Sequence, residues 1–338
     1  MKKTFLFIAA LYISQLIYAQ QTVETIRKQA SAAAQKQDFD GAIQILEQGL
    51  QQYPDNFDIL KDESYIAFIG RDYKHALQIG KPLTQRDDAD VQSYQILGLI
   101  YKAIANYKDA DKMYKEGLKK FPKSGVLYSE YGDMLTQYDN KKGAITQWEK
   151  GIAADANYTS NYYFAAKYYA DANNIFWSSI YSEIFVNMES LTKRTDEIKA
   201  LLLTDYKKLL ADKSGLENLK GNGSDFEKAV AASMLQSIET ESGDVSPEMI
   251  TAFRARFLLD WANTNANSYP YRLFDFHLQL LRDGMFDAYN QWLFGPVINK
   301  NKYDNWVYTH DDEMKNFTQF QKNVLFKMPA EQYYGNSN

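Results

Sequence analysis

Apolar and small side chains along the first half of the chain follow two superimposed periods. Within a segment they return every three or four residues, as along one stripe of a helix. Tyr94, Leu97, Gly98 and Tyr101 stand at i, i+3, i+4 and i+7, and Ala110, Tyr114 and Gly117 at i, i+4 and i+7. Between segments the pattern returns every 34 residues, most plainly at Ala42, Ala76, Ala110 and Ala144, with Ala30, Ser64, Gly98 and Gly132 ahead of them. A beat of that length predicts stacked helical hairpins, none of which can bury its apolar face without neighbours. Gly98 and Ala110 are expected where the two helices of a hairpin cross, because a larger side chain there would force the axes apart.

The other segments keep the pattern unevenly. The fourth has Tyr128, Tyr131, Gly132, Leu135, Ala144, Trp148 and Gly151, and the first has Ala30, Ala33, Ala42, Leu46, Gly49 and Pro54. The second is the most degenerate, with Leu60, Ser64, Ala67, Ala76, Leu83 and Gly80 where a large residue is usual. The fifth carries Tyr162, Ala165, Ala166 and Tyr169, then Ser178 in place of alanine. An Asp or Asn precedes each second helix at Asp38, Asp72, Asn106 and Asn140, where its side chain can accept from open backbone N–H groups. Pro54 and Pro122 close two of the segments.

These residues resemble the tetratricopeptide repeat family over roughly residues 23–190. The resemblance implies an all-α fold, a superhelical array of about five antiparallel hairpins, with Ala42, Ala76, Gly98, Tyr101, Ala110, Pro122, Gly132 and Ala144 as its packing residues. It also implies a concave face lined by the first helix of each hairpin. Carried over residue by residue, that face holds Arg27 and Ser31, then Lys61, Tyr65 and Phe68, then Gln95, Leu99 and Lys102. Ser129 and Asp133 follow, then Tyr163 and Lys167. Such a lining suits an extended peptide or a partner helix, with the lysines positioning acidic groups. The Lys–Asn pair that some members use to hold a C-terminal carboxylate is Arg27 and Ser31 here, so that recognition mode is not expected.

Past residue 190 the beat fails, but helical patterning continues into a divergent region, 191–338. Ile198, Leu201, Leu202, Tyr206, Leu209 and Leu210 form a stripe that could cap the array. Lys213 to Asp225, including Gly221-Asn222-Gly223-Ser224, reads as a loop, with Ser224 or Asp225 capping the next helix; Ser246-Pro247 opens another. Residues 269–295 read as a degenerate hairpin with its turn at Gly284-Met285-Phe286. A last helix is expected from about Asp311 to Lys327, and the tail from Ala330 is expected to fray. This half resembles helical regions that follow repeats in some exported proteins of the Bacteroidota.

The first residues change the expected location. Met1-Lys2-Lys3, an apolar run of about 16 residues and Ala19 read as a secretory signal peptide, short of the ~20 apolar residues of a spanning helix. Cleavage after Ala19 would leave about 319 residues, enough to bury a sizeable core, in the periplasm or outside the cell. The chain has no cysteine, which removes disulfides and a lipobox anchor. Loss of Lys2 and Lys3 takes the formal charge from −5 to −7, with no basic stripe, so nucleic acid is not an expected partner. The 26 tyrosines are expected chiefly as hairpin packing, with sugar or peptide stacking by some of them as the alternative.

No phosphate-binding loop, zinc-protease helix or nucleophile elbow is present, so no cofactor, metal or catalytic residue is assigned. The three histidines are read as a solvent-side residue (His75), a core residue (His277) and a neighbour of a capped helix start at Thr309 (His310). Asp87, Asp88 and Asp90 are read as a solvated junction with a helix cap. The sequence thus points to an exported scaffold that binds an envelope protein or peptide. The alternatives are a glycan or peptidoglycan binder, and an enzyme sited near His277, Asp275 and Trp292.

Overall fold

A computed structural model of the chain describes residues 22–238 and 244–335. The signal-peptide reading of residues 1–19 lies outside them. The described residues form eighteen helices and no strand. None of these helices is long and apolar enough to cross a membrane. The chain divides into two compact units, one ending at Phe121 and the other starting at Pro122.

The first unit holds α1 (Val23–Gln35), α2 (Phe39–Gln52), α3 (Phe57–Ile69), α4 (Tyr73–Leu83), α5 (Val91–Ala103) and α6 (Tyr107–Lys120). Consecutive helices pack in pairs, and α1 lies against α3 and α3 against α5, so the first helices share one face. Ala30, Ala42, Leu46, Ala67, Ala76 and Ala110 are wholly buried between them.

The second unit continues with α7 (Gly125–Gln137), α8 (Lys141–Ala154), α9 (Thr159–Asp171), α10 (Ile175–Met188) and α11 (Lys193–Ala211). Then come α12 (Ser214–Asn222), α13 (Asp225–Ser237), α14 (Pro247–Thr264), α15 (Arg272–Arg282), α16 (Phe286–Ile298), α17 (Lys300–Thr309) and α18 (Asp311–Asn323). Helix α11 does not end the stack as its amphipathic pattern implied; it is packed by α9 and α10 and also by α16. The stretch read as a loop after Lys213 is largely α12, whose Leu216 is buried. A single buried leucine among polar residues gives too weak a stripe to be seen in sequence.

The 34-residue beat is written most sharply in the turns. Gln37, Arg71, Ala105, Asp139 and Asn173 all have positive φ, between +54° and +67°. Each occupies the left-handed position just past a first helix, and the following N–H closes that helix five residues back, as Asp72 does onto the Ala67 carbonyl at 2.9 Å. The same Asp or Asn then opens the next helix. Asp38 accepts from the Gly41 N–H at 3.0 Å, Asp72 from His75 at 3.0 Å, Asn140 from Gly143 at 2.9 Å and Asn174 from Trp177 at 3.2 Å. One residue therefore terminates one helix with its backbone and starts another with its side chain.

Glycine and aromatic residues are matched across each crossing. A methyl group on Gly98 would come within 2.7 Å of the Tyr114 ring, and one on Gly132 within 2.6 Å of Trp148. Gly98 thus makes room for Tyr114 rather than for Ala110, as Gly117 does for Tyr94 at 2.7 Å. In the second hairpin both partners are small, Ser64 and Gly80, and Ile100 from α5 comes within 3.3 Å to fill the gap. Degeneracy in one hairpin is compensated by its neighbour.

Candidate binding face and a buried charge cluster

In the first unit the shared face of α1, α3 and α5 carries an open groove of about 620 Å³. Arg27, Ser31 and Gln35 from α1, Asp62, Tyr65 and Ile69 from α3, and Gln92 from α5 line it. Tyr65 is 44% exposed and lies 6.4 Å from the Phe68 ring. Arg27 forks onto Asp62, with Nε 2.6 Å and Nη2 3.1 Å from its two oxygens, which raises the arginine's affinity for its proton. Gln95, Leu99 and Lys102 are half-buried further along α5. Arg27, Ser31 and Tyr65, all expected on the concave face, line this one groove, and Asp62 already holds the arginine.

Lys61, expected on the open face, is instead buried. Its ammonium lies 2.6 Å from Asp90 and 3.3 Å from Asp58, and 4.9 Å from the centre of the Phe57 ring. Asp90 also accepts from the Ser93 N–H at 2.8 Å, so Lys61 ties α3 to the cap of α5. The solvent-side assignment of His75 also changes, because its Nε2 meets the buried Glu63 at 2.8 Å. Asp88 and Asp55 both engage Arg86.

In the second unit Tyr163, also expected on the open face, is buried and donates to Glu197 at 2.6 Å. Lys167 lies 2.6 Å from the same Glu197, and Arg194 covers the Tyr163 ring. Tyr163 and Lys167 thus bind α9 to α11. Asp133 is half-buried and accepts from Gln137 at 3.2 Å. In both units, positions that read as ligand-facing on an isolated hairpin are taken up by the next first helix. Buried cations keep their charge only beside such partners.

His277 proves to belong to a polar cluster that sequence spacing could not reveal. Glu183 of α10, Arg254 of α14, His277 of α15 and Tyr289 of α16 meet at one point, all buried. Arg254 pairs with Glu183 and also donates to Asn290. Tyr289 donates to Glu183 at 2.9 Å, and His277 Nε2 lies 3.1 Å from the same carboxylate. Burial works against the Glu183 carboxylate, but the Arg254 and His277 charges outweigh it and hold the group at about 2. Burial pushes His277 down. Asp275 is exposed and does not join the cluster, and Trp292 instead carries Lys199 over its ring at 3.6 Å. A void of about 10 Å³ adjoins His277, at most the room of one water, so the cluster has no space for a substrate. It clamps four helices.

Thr309 does not cap α18 as expected. Its hydroxyl lies 2.9 Å from His310 Nδ1, and the His310 ring stacks on Trp306 at 4.3 Å. The next helix follows α17 almost directly, leaving no extended cap residue.

No protein-family profile matches the chain, and no curated protein matches it. Solved structures similar to it include a tetratricopeptide repeat protein from Parabacteroides merdae, 14% identical, covering 76% of this chain and 97% of that one at a TM-score of 0.43. A thermophilic repeat protein of Thermus thermophilus is also similar, at 14% identity and a TM-score of 0.44, over 53% of this chain and 98% of that one. MamA of Desulfovibrio magneticus shares 11% identity over 54% of this chain and 95% of its own, at a TM-score of 0.39. Likeness at that level carries no assignment, and the chain's own packing does so instead. The 34-residue hairpins, their Gly–aromatic crossings and their shared first-helix faces are those of an all-α helical repeat scaffold of tetratricopeptide type.

Proposed function

We propose that the first unit is a docking module for an amphipathic peptide or partner helix, and that the protein works outside the cytoplasm. The open groove on α1, α3 and α5, with Tyr65 standing in it, carries this reading. An exposed aromatic beside apolar Ile69 and amide groups supplies contact area at small entropic cost. Because Arg27 already faces Asp62 and Lys28 faces Glu24, the groove favours apolar and hydrogen-bonding contacts over an acidic motif. Capture from envelope extracts of the source organism with the wild-type chain and with Tyr65→Ala, Ser31→Arg tests it. A partner held by the wild type and lost by the variant, with helical circular dichroism unchanged, supports the groove; equal capture rejects it. The Met1–Ala19 leader supports export, which N-terminal sequencing of the mature protein checks: a chain still beginning at Met1 rejects it.

A further inference from the structure

The polar tail expected to fray from Ala330 is packed against the second unit through residue 335, and α18 stops at Asn323, earlier than its pattern implied. From Val324 the chain runs without helix or strand, and its attachments to the body are those of a bound peptide. Phe326 and Met328 are buried, and the Phe326 ring sits edge-on to Phe276 at 5.1 Å. Asn157, in the turn between α8 and α9, grips the Met328 main chain with both ends of its amide: Nδ2 donates to the carbonyl at 3.2 Å and Oδ1 accepts the N–H at 3.1 Å. Gln332 accepts the first N–H of α15, from Arg272, at 2.5 Å. Tyr334 stacks flat on Phe226 at 4.3 Å and donates to the Pro270 carbonyl at 3.1 Å. The cleft beneath includes Ile152, Tyr162, Trp177, Tyr181 and Tyr271, and only about 10 Å³ is left unfilled.

We propose that residues 324–335 are a releasable strap, a peptide ligand bound in cis, and that the cleft beneath accepts the same segment from a second copy of this chain. An amide clamp on an extended main chain, with pockets for alternate side chains, is how extended peptides are read. Past Val324, whose N–H closes α18 onto the Phe320 carbonyl at 2.9 Å, none of the segment's main-chain groups joins a helix ladder among the described residues. Its release therefore costs only its own contacts, the condition for local opening below global unfolding. The cleft is made by the second unit alone, so the inference stands apart from the groove of the first unit.

The strap also covers a titrating group. Glu149 of α8 is buried and accepts from the Tyr169 hydroxyl of α9 at 2.5 Å. Tyr181 of α10 and Glu227 of α13 also act on it, and Tyr333 reaches in from the strap, its own proton held more tightly by burial and by the Glu149 charge. Burial, opposed by the two hydroxyls and assisted by Glu227, pushes Glu149 up to about 7. A group raised in the closed form favours closure when protonated and loses that contribution as pH rises through 7. Strap release is therefore promoted above neutrality.

Hydrogen exchange of the full chain at pH 6 and pH 8, corrected for intrinsic rates, reads the opening directly. The strap amides should exchange separately from those of α8–α10, with protection falling roughly tenfold between the two pH values. Asn157→Ala should lower strap protection on the order of tenfold at both. Glu149→Gln should remove the pH difference while leaving the helices protected. In parallel, a fluorescent synthetic copy of residues 324–335 should bind the full chain about equally at pH 6 and pH 8, because the second copy covers Glu149 as the strap does and the two pH effects cancel. Strap amides that exchange only together with α8–α10, or a probe that binds at neither pH, would overturn the proposal. A pH difference that persists in Glu149→Gln would overturn the coupling.

Discussion

The two units bury polar groups in opposite ways. In the first, side-chain pairs across helices reach only the adjoining hairpin: Arg27 to Asp62 and Lys61 to Asp90 span 35 and 29 residues. In the second, the buried bonds of Glu227 with Trp177, Arg254 with Glu183 and Tyr289 with Glu183 span 50, 71 and 106 residues. Nearest-neighbour pairing lets a stack be assembled and lost hairpin by hairpin. Bonds between remote segments make a knot that holds or fails as a whole. The first unit is thus suited to presenting a surface, and the second to locking its own chain.

The largest expected difference lies at Arg254. Replacing it with alanine takes from buried Glu183 its charged partner, leaving only Tyr289 and His277, and from Asn290 its donor, a loss of about 3–5 kcal/mol. Urea denaturation should show the second unit melting early while the first is unchanged. Arg27→Ala, which removes a half-exposed pair, should cost about 1 kcal/mol or less. Equal losses for the two variants would erase the distinction drawn above.

pH separates the units next, by degree: burial also raises Glu63 of the first unit, opposed by its bond to His75. Glu149 and Asp205 are pushed up by burial, to about 7 and about 6, and Asp205 answers only to the Ser178 hydroxyl at 2.5 Å and more distantly to Lys208. Folded values above the unfolded ones mean that their stabilisation is complete below about pH 4 and fades as pH climbs through 6 and 7. Glu183, held at about 2, acts oppositely and is lost only in strong acid. The second unit should therefore weaken by about 2–3 kcal/mol between pH 5 and pH 8, and Glu149→Gln should flatten the curve. Thermal melts across that range decide it, and a flat wild-type curve would reject the argument.

Much of the first unit was written in the sequence because its contacts are local and periodic. The helix starts at Asp38, Asp72 and Asn106 and the small residues at Ala42, Ala76 and Ala110 all declare themselves at a fixed step. What stayed hidden is what periodicity cannot carry. Lys61 and Tyr163 face inward because the next first helix arrives over them. Glu183, Arg254 and His277 lie far apart in sequence and meet only after folding. Two departures from the period nevertheless mark such contacts. Ser178 replaces the repeat's alanine and supplies the hydroxyl for Asp205, and the apolar Phe326, Met328, Tyr333 and Tyr334 in a polar tail are spaced for burial rather than for solvent.

A core substitution sharpens the comparison within the repeat. Gly98→Val should cost about 2 kcal/mol, because its branches collide with the Tyr114 ring, and Tyr114→Leu should recover much of it. Denaturation of the single and double variants gives the coupling. Additive losses would mean that the pair is not the contact that fixes the crossing.

The smallest effect concerns the turns, where the units share one device but use different residues. Ala105 holds φ +54° with no side-chain group that could repay a left-handed conformation, whereas Gly284 adopts φ +70° at the corresponding turn between α15 and α16. A Cβ costs about 1 kcal/mol in that region, and glycine's larger unfolded-state entropy returns part of the gain. Ala105→Gly should therefore stabilise the first unit by about 0.5 kcal/mol. Gly284→Ala should weaken the second by about 1 kcal/mol through strain alone, since a methyl there meets open space. Opposite signs in paired chemical melts would show that the turn conformation, rather than the residue found in it, is what the repeat requires; losses in both would mean that Ala105 makes a contact glycine cannot.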